Sequence, residues 1–487
     1  MKVWSPQQEA IFGRFAEPNG ENFAARARAG TGKTTVIIEG VKRAPDQSIM
    51  LCAFNKSIEK ELSLRIAGHP RARAKTLHGL GFGIVMRNWN GVQLASRLDD
   101  RAASVTEAVT GGRVPDAAKK LISKLHTKGR EIIPHAEIAG DLLDLMYNFD
   151  ILPDEYLEEM GYTPEVIEDY ALKAMEFAAA VKPVNGIDFS DMIFLPCRNR
   201  WIRPAHHLVV VDEAQDMSPA QLEIALGLSK ERIVVVGDDR QAIYGFRGID
   251  SNTFNQLVEQ IKADVLPLTV TYRCPQSVVR MAQLLVPDYE AHEDNPEGVV
   301  RSLGRDKLGE EAEENDFILS RLNAPLVSTA ISLLKSGKRA RVAGRDIGAG
   351  LKALIRKFKA RSIPDFLSKL DNWESRQTKR MIKAGREEKI TQIVDQADML
   401  RTLFEEAPSM DFVEQKIDAL FADVEGRGVI MCSSVHRAKG LETGRVFTLE
   451  ESFKSKFGAT QEEDNIRYVA ITRAQEELIL VQEKKEF

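Results

Sequence analysis

Several things are scarce in this sequence, and each scarcity removes a class of function. Cysteine occurs only four times, at Cys52, Cys197, Cys274 and Cys432. The four stand far apart with no paired spacing, which argues against a disulfide framework and against a zinc site. Long hydrophobic runs are missing. Stretches such as LVVV at 208–211 and IVVV at 233–236 are the size of a strand, far short of the roughly 18–20 residues that cross a bilayer. The start, MKVWSPQQEA, has neither the apolar stretch nor the small-residue cleavage site of a secretory signal. A cytoplasmic protein with no membrane partner is expected. A cationic excess is missing too: 67 Lys and Arg face 72 Asp and Glu, for a net charge of −5. That excludes a protein that binds polyanions over its whole face. A nucleic-acid partner would have to be held in a confined channel and by base stacking.

The 487 residues, 43% hydrophobic and 29% charged, are ordinary globular material. They exceed the roughly 100–200 residues of one domain, so two to four units are expected. Residues 23–53 and 205–245 carry short β-rich apolar runs that end in Gly-rich or Asp-rich turns, the pattern of buried parallel strands. Residues 429–449 and 316–319 read similarly. Two stretches, about 86–185 and 351–425, have almost no strand signal. In the second, Ile390, Ile393, Ala397, Leu400 and Phe404 recur at helical spacing. The expected fold is α/β, with two P-loop domains built on parallel sheets, each interrupted by a helical insertion. The expected boundaries are 1–85 with 186–275 for the first core, 86–185 for its insertion, 276–350 with 426–487 for the second core, and 351–425 for a reduced helical accessory domain.

The segment Ala27-Arg28-Ala29-Gly30-Thr31-Gly32-Lys33-Thr34 follows a strand-like start and precedes a helix-compatible stretch. A phosphate chain needs unobstructed backbone N–H groups, hence glycines, with a helix N-terminus behind them. Ala29, Gly30, Thr31, Gly32, Lys33, Thr34 and Thr35 are the candidate phosphate contacts. Lys33 can reach the β and γ phosphates, and the Thr34 hydroxyl can hold Mg²⁺. The strict pattern has Gly where this chain has Ala27, and the motif alone also suits a plain turn before a helix. The second half of such a site is an acidic pair at a strand end, supplied by Leu208-Val209-Val210-Val211-Asp212-Glu213. Asp212 is suited to hold Mg²⁺, and Glu213 to orient and deprotonate an attacking water. Together, in this order, the two motifs predict hydrolysis of a nucleoside triphosphate.

The remaining motifs carry a family resemblance. DEAQD at 212–216, GDDRQAIYGFRG at 237–248, YRCP at 272–275, HRAKGLE at 436–442 and YVAITRA at 468–474 resemble a superfamily 1 DNA helicase of the UvrD/Rep/PcrA type. AFNKS at 53–57 and DFSDMI at 188–193 are similar to the short relatives related to F-box DNA helicases, here without the F-box. The motifs run in the family's order from residue 7 to residue 474. The resemblance implies two RecA-like domains with ATP and Mg²⁺ in the cleft between them. It implies that Gln7 reads adenine and Tyr272 stacks on it, that Arg273 and Arg473 reach the γ-phosphate, and that Glu442 contacts the ribose. Gln241 would link the γ-phosphate to the DNA groove. With Lys33, Asp212 and Glu213, the residues Gln241, Arg273 and Arg473 form the implied catalytic set.

On the strand-binding side, Phe54, Tyr244 and Phe246 lie after strand ends, where aromatic rings are more often functional than core. A base stacked on such a ring gains roughly 1–3 kcal/mol without sequence preference. The resemblance places Asn55, Thr76, His78, Arg247 and His436 in the same groove. Many relatives have Trp where this chain has Phe246, which weakens the expected grip on that base. The basic clusters Arg71–Lys75, Arg200–Arg203 and Lys379–Lys389 could track phosphates, although a charged helix face or loop is ordinarily just solvated.

The resulting expectation is an ATP-dependent single-stranded-DNA translocase and helicase of prokaryotic or phage type. Direction 3′→5′ is implied by the resemblance alone. Expected partners are single-stranded DNA, single/double-strand junctions, and other replication or repair proteins. Two alternatives stay open: a translocase that strips proteins with little unwinding, and a non-motor ATP-dependent switch. For either motor, Lys33→Ala is expected to remove nearly all ATP hydrolysis with and without DNA, measured as phosphate release.

Overall fold

A computed structural model describes residues 3–96, 98–245, 252–421, 428–454 and 460–483. The chain divides into two compact units, residues 1–28 with 32–268 and residues 29–31 with 269–487.

The first unit is built on a parallel six-stranded sheet. Its strands are β1 (Phe23–Ala27), β2 (Ile49–Ala53), β3 (Ala72–Thr76), β4 (His206–Val211), β5 (Ser229–Gly237) and β6 (Asp264–Leu268), in spatial order β3-β2-β4-β5-β1-β6. Successive side chains of a strand point to opposite faces, and here both faces are buried. Ala25, Leu51, Val210 and Val234 join one core, with Ile11, Phe12 and Phe15 of helix Pro6–Ala16 and Val36, Ile37 and Val41 of helix Lys33–Arg43. Their neighbours Ala24, Cys52, Val211 and Val235 join the other, with Leu80, Ile84, Ile193 and Ile224 from the helices opposite. Burial on both sides is why these strands read as unbroken apolar runs.

A separate helical core, around Val105, Ile122, Leu125, Ile167 and Met175, is formed by helices Leu98–Thr110, Asp116–Ile132 and Pro164–Ala180 and their shorter neighbours. Helix Phe189–Arg198 serves both cores: Phe194 and Leu195 face the helical one, while Ile193 and Cys197 face the sheet.

The second unit holds a small pair, β7 (Val270–Thr271) and β8 (Glu290–Ala291), and a second parallel six-stranded sheet. That sheet is made of β9 (Val299–Gly304), β10 (Phe317–Ser320), β11 (Ala340–Val342), β12 (Ile430–Ser434), β13 (Thr443–Leu449) and β14 (Ala474–Gln482), ordered β11-β12-β10-β13-β14-β9. The two six-stranded parallel sheets make the molecule an α/β protein with two RecA-like domains. Among the described residues, the helices Arg345–Phe358, Ile363–Lys383, Ile390–Phe404 and Met410–Leu420 form no core of their own. Their Leu354, Phe366, Trp373, Leu400, Phe404 and Ile417 share one continuous core with Ile318, Cys432, Phe447 and Ile479 of the sheet.

A polar tie reinforces that shared core. Asp395, on helix Ile390–Phe404, is buried at the start of helix Ala324–Lys335. It accepts the Asn323 N–H at 3.0 Å, the Ala324 N–H at 2.8 Å and the Asn323 side-chain amide at 3.1 Å. One carboxylate thus satisfies donors that helix geometry leaves without intrahelical partners. Asp395→Ala is expected to destabilise the second unit by about 2 kcal/mol, the cost of losing such a cap in a buried setting, read as a lower denaturant midpoint.

Candidate active site

Three neighbouring strands of the first sheet, β4, β5 and β1, end at the same edge in the acidic pair, the GDDRQ turn and the Gly-rich turn. Gly32 takes φ 85°, a left-handed conformation natural to glycine, and caps helix Lys33–Arg43. Lys33, Thr34 and Thr35 therefore form that helix's first turn, where backbone N–H groups are free of intrahelical partners. Thr31 is buried, and Thr34 and Thr35 are half-buried.

The Lys33 ammonium lies 3.1 Å from Glu213 Oε2. Glu213 itself sits at φ 50°, a conformation that a non-glycine residue adopts at some cost. Gln215 donates to Glu213 Oε2 at 2.6 Å, and its own oxygen accepts the Asp238 N–H at 3.1 Å. Gln241 donates to Asp238 Oδ2 at 2.8 Å. Arg28 closes the other side, reaching Asp238 at 3.0 Å and Asp239 at 2.7 Å. A continuous polar chain thus runs from Lys33 through Glu213, Gln215 and Asp238 to Gln241.

Its charge states follow from position. Burial works against the charge on Lys33, but Glu213, Asp238 and Asp212 together outweigh it, and its pKa is raised. Asp212 is pushed up to about 7, first by burial and then by the neighbouring Glu213, against the pull of Lys33. Burial also raises Asp238, against Arg28 and Lys33. At both aspartates burial outweighs the compensation from the nearby cations.

The other first-unit candidates are more dispersed in role. Gln7 is half-buried on helix Pro6–Ala16, while Gln8 beside it is committed to a capping box with Ser5. Phe54 is half-buried at the end of β2, packed against the sheet's core. Asn55 is exposed and caps helix Lys56–Arg65, accepting the Ile58 N–H at 2.9 Å. Thr76 ends β3 and caps helix Leu77–Asn88, accepting the Gly79 N–H at 3.1 Å. His78 lies in that helix's first turn, its pKa lowered by burial. Since β2 and β3 are paired, these residues share one edge of the sheet. Tyr244 is half-buried beyond β5. Phe246 and Arg247 lie outside the described residues.

Four residues not singled out from sequence belong to this account. Gln215 and Asp238 lie inside the quoted motifs, and Arg28 inside the Gly-rich turn, so position alone could have flagged them. Phe189, in DFSDMI, is 49% exposed, with its ring 6.3 Å from His78 and edge-on to it.

In the second unit, Arg473 is fully buried. It donates through Nε to Val469 O at 2.9 Å, and through its terminal nitrogens to Leu441 O at 3.1 Å and Thr472 Oγ1 at 3.2 Å. All three acceptors are neutral. Burial, then the nearby Arg273, pushes its pKa down to about 10. Arg273 is ion-paired with Glu442, which also accepts from Gln475 at 2.9 Å. Tyr272 is 45% exposed and packs at 4.8 Å from the His292 ring. His436 is half-buried in the short helix Val435–Ala438 after β12. Ala29 and Gly30, which group with this unit, are held there by backbone contacts. Ala29 N–H donates to the Tyr468 phenol at 3.0 Å, Ala29 O accepts from Tyr289 at 2.9 Å, and Gly30 O accepts the Tyr272 N–H at 3.0 Å.

Gln215 touches Glu213 and Asp238 at once, so its loss should misorient the acidic pair without removing it. Gln215→Leu is expected to lower kcat for ATP about tenfold, as loss of an orienting partner does at related sites, with the smaller part of the effect in KM. Steady-state phosphate-release kinetics would check it.

Comparison with known proteins agrees with this geometry. Residues 6–262 match the UvrD/REP helicase N-terminal domain, and residues 250–485 match the UvrD-like helicase C-terminal domain. The chain is 25% identical to F-box DNA helicase protein 1 of Schizosaccharomyces pombe, over 95% of its own length and 55% of that protein's. It is 26% identical to DNA helicase IV of Escherichia coli, over 55% of its length and 45% of the relative's. It is 25% identical to ATP-dependent DNA helicase Rep of Salmonella typhimurium, over 53% and 40% respectively. The chain spans about half the length of these relatives. With both family domains matched in sequence order, on two parallel sheets carrying the phosphate loop and the acidic pair, the chain belongs to the UvrD/Rep helicase family.

Proposed function

We propose that this chain is an ATP-dependent translocase on single-stranded DNA that separates duplex strands. The observation that carries the reading is the polar chain from Lys33 to Gln241. It joins a phosphate-binding lysine, an acidic pair and a glutamine across three strand ends. A protein that only binds nucleotide has no need of Glu213 held against Lys33, whereas hydrolysis needs a carboxylate aimed at a water.

Lys33 and the backbone N–H groups of the first helical turn bind phosphate oxygens. When that phosphate takes over Lys33, Glu213 is released to orient the attacking water and accept its proton. Gln241, bonded to Asp238, stands ready to sense whether a γ-phosphate is present. Mg²⁺ suits the donors at hand. It is an ion that keeps several waters and takes phosphate oxygens, so it needs few protein ligands, and the Thr34 hydroxyl and the Asp212 carboxylate would supply them. When bound, it neutralises charge on the phosphates.

Arg473 is a buried cation whose bonds, among the described residues, go to neutral oxygens. A charge so desolvated gains most from meeting an anion, and the γ-phosphate is the anion this reading gives it, with Arg273 as a second cation. Tyr272 offers an exposed ring to adenine, with Gln7 reading the base edge and Glu442 the ribose. Phe54, Tyr244, Phe246 and Phe189 are the rings proposed to stack on bases, with Asn55, Thr76, His78, Arg247 and His436 lining the strand. The 3′→5′ direction and the preference for single/double-strand junctions belong to the same proposal.

The test is ATP hydrolysis with and without single-stranded DNA, alongside unwinding of duplexes tailed at 3′ or 5′ ends. DNA should stimulate hydrolysis strongly, and the 3′-tailed duplex should be opened. Arg473→Ala should cut kcat by roughly 10³-fold or more, the usual worth of an arginine finger. Hydrolysis indifferent to DNA would overturn the motor reading in favour of a nucleotide switch.

A further inference from the structure

Helix Phe189–Arg198 begins at a turn made almost wholly of buried charge. Asp188 caps it, accepting the Asp191 N–H at 2.8 Å. Two arginines from the neighbouring helices close on these carboxylates, Arg130 on both and Arg101 on Asp191. Arg130, on helix Asp116–Ile132, reaches Asp188 Oδ2 at 2.7 Å, Asp188 Oδ1 at 3.0 Å and Asp191 Oδ1 at 2.5 Å. Arg101, on helix Leu98–Thr110, reaches Asp191 Oδ2 at 2.9 Å and the Ala178 carbonyl at 3.1 Å. The Arg130 and Asp191 side chains are wholly inaccessible to solvent. Between them in sequence, Ser190 donates to Glu131 Oε1 at 2.9 Å.

Every polar side chain of the turn 188–191 is therefore tied to helices of the insertion. The one side chain left untied, Phe189, projects outward beside His78. Burying two guanidinium and two carboxylate groups is costly, and well-packed apolar residues of similar volume would often be at least as stable. What paired charges add is direction, because a guanidinium fork meets a carboxylate in one plane and at two points. A turn fixed this way fixes the ring that leaves it, and a stacking platform is useful only when it is held in place.

We propose that Arg130, assisted by Arg101, is a positioning residue for nucleic-acid binding: by bridging Asp188 and Asp191 it sets the turn that presents Phe189, beside His78, to a base of single-stranded DNA. The proposal rests on the motor reading above. It assigns the helical insertion of the first unit a part in gripping DNA without touching it.

The experiment is DNA-stimulated ATP hydrolysis against oligonucleotide concentration for the full chain, Arg130→Lys, Phe189→Ala and the double variant. Lysine keeps the charge but cannot bridge both carboxylates. Arg130→Lys should raise the half-saturating DNA concentration about tenfold, the worth of one stacked base, while the maximal rate at saturating DNA is retained. Phe189→Ala should raise it similarly. The double variant should be no worse than the poorer single one, since both remove the same interaction.

An unchanged half-saturation in Arg130→Lys, or losses that multiply to about a hundredfold in the double variant, would overturn the proposal. If Arg130→Lys loses cooperative melting, Asp188→Asn, which keeps an oxygen for the helix cap, carries the same expectation and the same refutation. Wild-type hydrolysis that ignores DNA would sink the motor reading itself. A responsive wild type with a superimposable variant curve would sink only this assignment.

Discussion

The contact between Lys33 and Glu213 is the constraint around which the first unit is arranged. A lysine and a glutamate meet at 3.1 Å with Asp212 and Asp238 close by, in a place where none of them is fully hydrated. Such a group of charges is stable only if each is oriented and partly compensated. The sheet order answers that need, because it sets the ends of β4, β5 and β1 side by side. Gln215 then accepts the Asp238 backbone N–H, and Arg28 sets positive charge beside Asp238 and Asp239. The left-handed backbone at Glu213 is a local cost accepted for that aim.

Much of this was legible in the sequence, and the limits of legibility have physical causes. Apolar runs ending in Asp-rich or Gly-rich turns gave the central strands because burial on both faces removes polar alternation. Edge strands were harder. Arg71–Lys75 reads as a cluster of cations, yet it overlaps β3, where Ala72 and Ala74 are buried while Arg73 and Lys75 face outward. Cations on a sheet edge discourage unwanted pairing, so one spacing serves a strand and a charged surface alike. Strand β9, with mixed burial along Val299–Gly304, leaves no apolar run to find. Motifs showed which residues to watch but not which neighbours would orient them: Gln215 and Asp238 were written in the quoted stretches, and only folding revealed that they join Glu213 to Gln241.

Helix caps blur the reading of a binding groove. Asn55 and Thr76 both spend a side-chain oxygen on a backbone N–H of the helix that follows. Ser, Thr, Asp and Asn are favoured at such positions for that reason alone, so their presence after a strand marks a helix start as readily as a ligand contact. What remains for a ligand at Asn55 is chiefly its amide NH₂ group. Phe189 was overlooked for the opposite reason. It sits among apolar residues, Met192, Ile193 and Phe194, that are buried, and its own exposure in the fold is what sets it apart.

The second unit differs from the first in how its helices are supported. In the first, the inserted helices carry their own interior around Ile122 and Ile167. In the second, Phe366, Leu400 and Ile417 complete the interior of the sheet itself. Excising the stretch between β11 and β12 would therefore expose apolar side chains on one flank of the sheet. Any division of labour between these helices and the strands they cover is to be sought through single substitutions on the outer surface, which leave the shared interior whole.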